Sequence, residues 1–387
     1  MKVLVVLGDG MADEPLAELG GKTPLEYART PNFDRVATEG ACGLLRTIPP
    51  GFEPGSDIAN LSILGYDPGT YYTGRGPIEA ASMGVPLGDR DVAYRCNLVT
   101  VTDGVMVDFS AGHIPSREGG ELIRSMAAGS AGGIAYYPGV SYRNLLVVPG
   151  GEGAVTTPPH DIVGQPIEPH LPTGGDAPAL REAMERSRAI LRDQPVNRER
   201  VARGERPATM IWPWSGGRKP DLPSFRRLHG VSGAMISAVD LLNGIARLAG
   251  MEVIRVPGAT GYLDTDYGAK ARYAVEALKR FDFLYLHVEA PDEAGHLGSV
   301  GEKVKAIERV DGMLGTILET FAGIVAVLPD HPTPIRVKTH TPDPVPFAVL
   351  GLEKDGTARL TEREAAKGGF GTLAAGDFLP LLLGKSR

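Results

Sequence analysis

Seven residues have types that suit phosphoryl transfer and stand where the chain must turn. Asp9 follows the run VLVVL. Asp292 and His296 stand in APDEAGHLG after FLYLHVE, and Asp330 and His331 in LPDHPTP after IVAVL. His340 comes nine residues later, in KTHTPDPVPF. Ser56 lies in PGSDIANLSILGYD, behind a Pro-Gly turn and ahead of an apolar run. Neutral imidazole nitrogens and carboxylate oxygens suit Zn²⁺ or Mn²⁺, at roughly 2.0–2.2 Å. Three Asp and three His exceed what one catalytic cation with an open position takes. They fit two cations about 3.5–4 Å apart, the arrangement that clamps both ends of an in-line phosphoryl displacement. Taken singly, a DH dipeptide is often a turn, and an Asp-x3-His pair is often a solvated helix face. It is their shared location at strand ends that argues for a site. Ser56 has two readings. It is a helix N-cap, or it is a nucleophile at a helix N-terminus, where backbone N–H groups and the dipole favour an oxyanion or a phosphate.

The elements that must position these residues alternate. KVLVVL reads as a buried strand, TPNFDRVATEG carries helical spacing at Phe33, Val36 and Ala37, and residues 42–47 read as a strand. From about residue 231, GAMISAVDLLNGIARLAG reads as a helix, MEVIRV as a strand and AKARYAVEALKR as a helix. FDFLYLHVEA, GEKVKAIERVDGMLGTILETF and GIVAVLP then read as strand, helix and strand. Alternation of this kind predicts an α/β fold, a doubly wound, mostly parallel sheet with helices on both faces. Ligands bind such sheets outside the carboxyl ends of the strands, where the three Asp and three His fall. Between the two parts, VAYRCNLVTV and VMVDFS flank a Thr-Asp-Gly turn and read as a hairpin, and SYRNLLVV as a strand. REGGELIRSMAA and DAPALREAMERSRAILRD read as helices. This predicts a discontinuous core over 1–85 and 222–387, with an inserted α+β cap domain over 86–221.

The bulk properties narrow the class. A length of 387 residues suggests about two domains. Net charge is −7, and no Lys/Arg run marks a nucleic-acid or membrane surface. Two cysteines, Cys42 and Cys96, form no CxxC, which points to a reducing cytoplasm. No apolar stretch approaches the roughly 18–20 residues of a membrane span. GGKT at 20–23 lacks the upstream glycine of a P-loop, since position 16 is Leu16. GDGMAD ends in Asp13 where a dinucleotide fingerprint needs glycine. No C/S-x-P-x-R sulfatase motif occurs.

LGDGMAD, TPNFDRVATEG, PGSDIANLSILGYDP, YYTGRGPIEA, VPGATGYLDTDY, DEAGH and DHPTP…H resemble the archaeal-type cofactor-independent phosphoglycerate mutases, members of the alkaline-phosphatase superfamily. The likeness runs from the first strand to about residue 350. It implies an alkaline-phosphatase-like fold, and it implies Ser56 as the phosphorylated nucleophile. Asp9, Ser56, Asp330 and His331 match the ligands of one metal, and Asp292, His296 and His340 those of the other. It implies two divalent ions (Mn²⁺, Zn²⁺ or Mg²⁺) and interconversion of 3- and 2-phosphoglycerate without 2,3-bisphosphoglycerate. The expected partner is a small phosphorylated substrate, with no nucleic acid and no membrane, and an oligomer is possible. The insert is expected to hold the substrate and exclude water. Its candidate anion binders are Arg75, Arg95, His113, Arg143, Arg218 and Lys219, with His160 as a further site residue. Arginine suits a planar carboxylate because it binds in a bidentate manner.

The segment after the serine departs from the mutase pattern SDTAHLAILGYDP at Ile58, Asn60 and Ser62. SAGHI carries His113 where Arg is common, and HVEAPDEAGH replaces a Lys-containing run. These features resemble a bacterial side branch proposed to act as homoserine kinases. The alternatives to the mutase are therefore an ATP-dependent homoserine kinase, a phosphomonoesterase, and a non-catalytic metal-binding protein.

Overall fold

A computed structural model describes residues 2–128 and 133–385. Its described strands, in chain order, are β1 (Val3–Gly8), β2 (Gly40–Arg46), β3 (Val92–Thr102), β4 (Val105–Asp108), β5 (Ala135–Val140), β6 (Arg143–Val148) and β7 (Met210–Arg218). They continue as β8 (Gly233–Ile236), β9 (Glu252–Val253), β10 (Phe283–Val288), β11 (Ile324–Leu328), β12 (Val345–Leu350) and β13 (Thr372–Ala374). The chain divides into two compact units, residues 1–72 with 222–387, and residues 73–221.

The first unit is an α/β structure on an eight-stranded sheet of order β13-β2-β12-β11-β1-β10-β8-β9. β1 pairs in parallel with β10 and β11, β10 with β8, and β8 with β9. Only β12 runs against its neighbours, β11 and β2. Every residue of β1, β10 and β11 is buried. Continuous apolar runs of this kind belong to parallel strands covered on both faces. The register sets Gly8 against Val288 and Leu7 against Leu328, so the chain leaves β1, β10 and β11 side by side at one sheet edge.

One expectation needs correcting. GAMISAVDLLNGIARLAG is not a single helix. Gly233–Ile236 forms β8, and the helix begins at Asp240. The apolar residues Ala234, Met235 and Ile236 are consumed by parallel pairing with Leu284, Tyr285 and Leu286. A short apolar run carries no periodicity that separates strand from buried helix.

The second unit holds a five-stranded sheet of order β4-β3-β6-β5, with β7 paired antiparallel to β3. Asp103 and Gly104 turn β3 into β4 with φ of 50° and 74°, as a two-residue hairpin requires. The Ala177–Arg192 helix buries Leu180, Ala183, Met184 and Leu191 in this unit's own core. The Arg75–Met83 helix also belongs here. At Gly76 an added Cβ would lie 2.0 Å from the Ala93 carbonyl oxygen of β3, so only glycine permits that approach.

Candidate active site

The site is assembled at the carboxyl ends of β1, β10 and β11. Asp9 follows β1 directly and is fully buried. The next residue, Gly10, has φ of 59°, and a Cβ there would lie 2.5 Å from Asp292 Oδ1. Glycine therefore lets the loop pass against Asp292. The Gly10 and His331 amides both donate to Asp330 Oδ1, at 3.2 and 2.9 Å. Beyond β10, Ala290–Leu297 forms a short helix ended by Gly298 at φ 68°. The Asp-x3-His pair thus falls on one helical face, with His296 Nε2 3.1 Å from Asp292 Oδ2.

Ser56 opens the Ser56–Ile63 helix, and the N-cap position is held by Gly55, with no side-chain cap. The capping reading of Ser56 is therefore set aside. Its hydroxyl is free to face the strand ends, where Oγ lies 3.1 Å from His331 Nε2. The same Nε2 is 3.6 Å from Asp9 Oδ1 and 3.5 Å from Asp330 Oδ2. Asp9, Asp330 and His331 bring three donor atoms within 4.8 Å of one another, and Asp292, His331 and His340 do the same. His296 Nε2 joins the second group at 3.2 Å from His340 Nε2. The six residues expected at the strand ends are gathered there, and Ser56 is beside them.

The donor set suits divalent cations on two observations. Asp9 Oδ1 is buried with no hydrogen-bond partner. Burial, together with Asp330, Glu289 and Asp292, pushes the Asp9 carboxyl well above its ordinary value, because carboxylates crowd here without enough positive charge. A bound cation supplies that charge. In the second group, burial opposes the Asp292 carboxylate, but His296 and His340 overcome it and hold its carboxyl well below the usual range. Burial likewise opposes a charge on His296, yet Asp292 raises that imidazole to about 9. The Thr333 hydroxyl donates to Asp292 Oδ1, so its oxygen can accept from His331 Nδ1 at 3.3 Å. That pairing leaves the Nε2 lone pair of His331 facing Ser56, Asp9 and Asp330.

Residues 37–197 match the family model of 2,3-bisphosphoglycerate-independent phosphoglycerate mutase. A curated protein of that name from Methanothrix thermoacetophila is 53% identical, over 99% of this chain and 100% of its own. The chain belongs to this mutase family. A relative from Geobacter sulfurreducens, named as a probable member, is 51% identical over 96% of each chain. Among solved structures, the cofactor-independent phosphoglycerate mutase from Thermoplasma acidophilum is similar at a TM-score of 0.70, with 30% identity over 99% of both chains. A Pyrococcus horikoshii protein is similar at 0.86, with 33% identity, covering 100% of this chain and 98% of its own.

In the second unit, four of the expected substrate-site residues gather around aromatic rings. The Arg95 guanidinium lies 4.4 Å above the Trp214 ring, with Nε 2.9 Å from Glu79 Oε1. The His160 ring lies 5.3 Å from Trp214 and 6.1 Å from Phe109, and Phe109 packs on His113 and Tyr142. Arg143 lies over Tyr142 at 5.6 Å. Burial, with Arg75 and Arg143 adding to it against Glu79, pulls the Arg95 guanidinium below its ordinary value. Burial also lowers His160, with Arg95 and Arg75 contributing and Asp161 opposing. Arg218 instead donates to the Gly151 carbonyl at 2.8 Å, and Lys219 is exposed after β7.

Sequence reasoning missed several residues of the strand-end site. His287 Nε2 is 2.8 Å from Asp9 Oδ2, and Glu289 shares a third donor group with both. Asn60 donates to Asp330 Oδ2 at 2.9 Å and accepts from the Tyr285 hydroxyl at 2.6 Å. The available signal was polarity inside apolar runs, namely Tyr and His within FLYLHV and Asn within IANL.

Proposed function

We propose that this chain interconverts 3-phosphoglycerate and 2-phosphoglycerate through a phosphoserine at Ser56, without 2,3-bisphosphoglycerate. The carrying observation is the Ser56 hydroxyl at a helix N-terminus, 3.1 Å from His331 Nε2 and among acidic side chains. Asp9, Ser56, Asp330 and His331 would hold one divalent cation, and Asp292, His296 and His340 the other. Mn²⁺, Zn²⁺ or Mg²⁺ bound there would lower the serine pKa and offset phosphoryl charge. The Ser56 oxygen attacks phosphorus in line as the bond to the 3-oxygen of glycerate breaks, and that oxygen leaves with the proton serine gives up. Backbone N–H groups of the first helical turn donate to the transferred group. Arg75, Arg95, Arg143, His113 and His160 take the glycerate carboxylate and hydroxyls, and Arg218 and Lys219 add positive charge. The glycerate reorients, its 2-oxygen attacks the phosphoserine, and Ser56 regains its hydroxyl. Water has to stay out, because it would hydrolyse the phosphoserine.

We place the reaction in the cytoplasm, with a small phosphorylated substrate as the partner. Both cysteines are free and buried. Among the described residues, no helix is long and apolar enough to cross a membrane. The mutase names carried by the relatives above disfavour the homoserine kinase reading. The test is 3-phosphoglycerate supplied with Mn²⁺ and coupled to enolase, run beside ATP with homoserine. Turnover is expected in the first arm and to vanish in Ser56→Ala with circular dichroism unchanged. Formation of O-phosphohomoserine as the faster reaction, or full turnover by Ser56→Ala, would reverse the assignment.

A further inference from the structure

We infer that His287 is a positioning residue that fixes which oxygen of Asp9 is offered to the cation, and that Ser237 sets its tautomer. The inference rests on the two-cation reading of the site. It starts from an imidazole buried in the middle of the sheet edge rather than in the loops. His287 is fully buried near the end of β10, with Nε2 2.8 Å from Asp9 Oδ2 and Nδ1 3.1 Å from Ser237 Oγ. The backbone N–H of Val239 donates to Ser237 Oγ at 3.0 Å. The hydroxyl that accepts from this N–H still has its own proton to give, and His287 Nδ1 is the acceptor within its reach. Nδ1 then accepts, and Nε2 carries the hydrogen donated to Asp9. A doubly protonated ring gives the same result at Nε2. The remaining form, with hydrogen on Nδ1 alone, would set a nitrogen lone pair 2.8 Å from an oxygen of the ionised carboxylate that cation binding requires.

The consequence is directional. Asp9 Oδ2 is engaged by His287, while Oδ1 is buried without a hydrogen-bond partner and faces His331 Nε2 at 3.6 Å. A carboxylate pinned on one oxygen cannot rotate its other oxygen away from the donor group it forms with Asp330 and His331. The chain Val239 amide, Ser237, His287, Asp9 therefore runs from backbone to ligand. Its frame is rigid, since β8 ends just before Ser237 and pairs in register with β10, which carries His287. Glu289 Oε2, at 3.5 Å, is the nearest competitor for the same Nε2 hydrogen.

The same three side chains, Asp9, His287 and Glu289, could be taken for a third cation site. A ligating His287 would need its Nε2 lone pair, which the tautomer that accepts from Ser237 at Nδ1 does not have. The two assignments therefore separate by experiment. Mn²⁺ binding to the purified chain is measured by calorimetry and by metal content after gel filtration, with His287→Leu, His287→Gln and Ser237→Ala beside the wild type. Glutamine places its amide N–H where Nε2–H stands, and leucine offers no donor. We expect two ions per wild-type chain, and one of them weakened roughly 10–100-fold in His287→Leu. The other ion should be unchanged, and His287→Gln should bind within a few-fold of wild type. Ser237→Ala should weaken the same ion by a smaller factor. Thermal unfolding of the metal-free variants separates a ligand effect from loss of fold. If His287→Leu folds and binds both ions like wild type, the inference is refuted. It is equally refuted if His287→Gln is as weak as His287→Leu, or if the wild type holds three ions and loses one in both variants. A wild type that binds no ion would overturn the two-cation reading itself, and His287 would lose its proposed role with it.

Discussion

Asn60 joins the nucleophile helix to the sheet edge, and its loss has a cost that can be worked out from its three contacts. It is fully buried, and its Nδ2 donates to the Ser56 carbonyl at 2.8 Å and to Asp330 Oδ2 at 2.9 Å. Its Oδ1 accepts from the Tyr285 hydroxyl at 2.6 Å. Leucine fills a similar volume and makes none of these bonds. In Asn60→Leu the Tyr285 hydroxyl is stranded in a fully buried strand, at about 1–3 kcal/mol. Asp330 loses a bond to a charged acceptor, about 1.5–3 kcal/mol. The expected total is about 3–5 kcal/mol, since such terms do not add fully. Tyr285→Phe alone strands Asn60 Oδ1 and costs about 1–3 kcal/mol. In the double variant both stranded groups are gone, and what remains is the Asp330 loss of about 1.5–3 kcal/mol and the lost bond to the Ser56 carbonyl, both shared with Asn60→Leu. The double variant should therefore be more stable than Asn60→Leu. The assay is urea unfolding of metal-free protein followed by circular dichroism. Trp212 and Trp214 both lie in the other unit, so their emission is not a direct reporter of this one. Single costs that add in the double variant to within about 0.5 kcal/mol would refute the bridge.

Lys303, fully buried, donates to Asp13 Oδ2 at 2.7 Å, to the Ala12 carbonyl and to the Thr333 carbonyl at 2.8 Å, tying the loop after Asp9 to the loop after His331. Lys303→Met should cost about 3–5 kcal/mol by calorimetry, with much of it recovered in Lys303→Met/Asp13→Leu; a single variant within 1 kcal/mol of wild type would contradict the tie. Burial pushes the Glu362 carboxyl up to about 7 from 4.5, despite hydrogen bonds from Thr23 and the Asp13 amide. The folded chain then holds a proton that the unfolded chain has released, so this group's contribution falls as pH rises from 4.5 to about 7. Glu362→Gln should flatten the pH dependence of stability across that window, and an unchanged slope would count against it. Chelation should abolish turnover and lower Tm, and Mn²⁺ at about 100 times its Kd should restore roughly 2.7 kcal/mol per site; activity surviving in metal-free protein would remove the cations from the reaction.

The strand-end residues were legible because a parallel sheet makes sequence position into place. VLVVL, FLYLHV and IVAVL are short, largely apolar runs, and their place in a regular strand–helix alternation marks them as parallel strands, so the first polar residues beyond each must emerge at the same edge. Asp9, Asp292 and Asp330 needed no more than that. The strand at Gly233–Ile236 was not legible, because its four residues run straight into a helix and its partner lies about 50 residues ahead in β10. His287 and Tyr285 were hidden for a related reason. Inside a strand, pattern alone cannot tell a polar residue that supports a neighbour from one tolerated in the core, since the partner belongs to another segment.

Ile58, Asn60 and Ser62 are where the sequence departs from the mutase pattern, and the departure gains a physical content. Asn60 is fully buried. It holds Asp330 Oδ2, while the Gly10 and His331 amides hold Asp330 Oδ1. His287 holds Asp9 Oδ2 in the same manner. Both carboxylates beside Ser56 are thus oriented by neutral donors rather than by Lys or Arg, and this follows from what the site has to do. A cationic side chain against either carboxylate would supply the positive charge that a divalent ion brings, and would compete with it. Neutral donors fix direction and leave the negative charge for the ion. A variation at position 60 therefore changes how Asp330 is held.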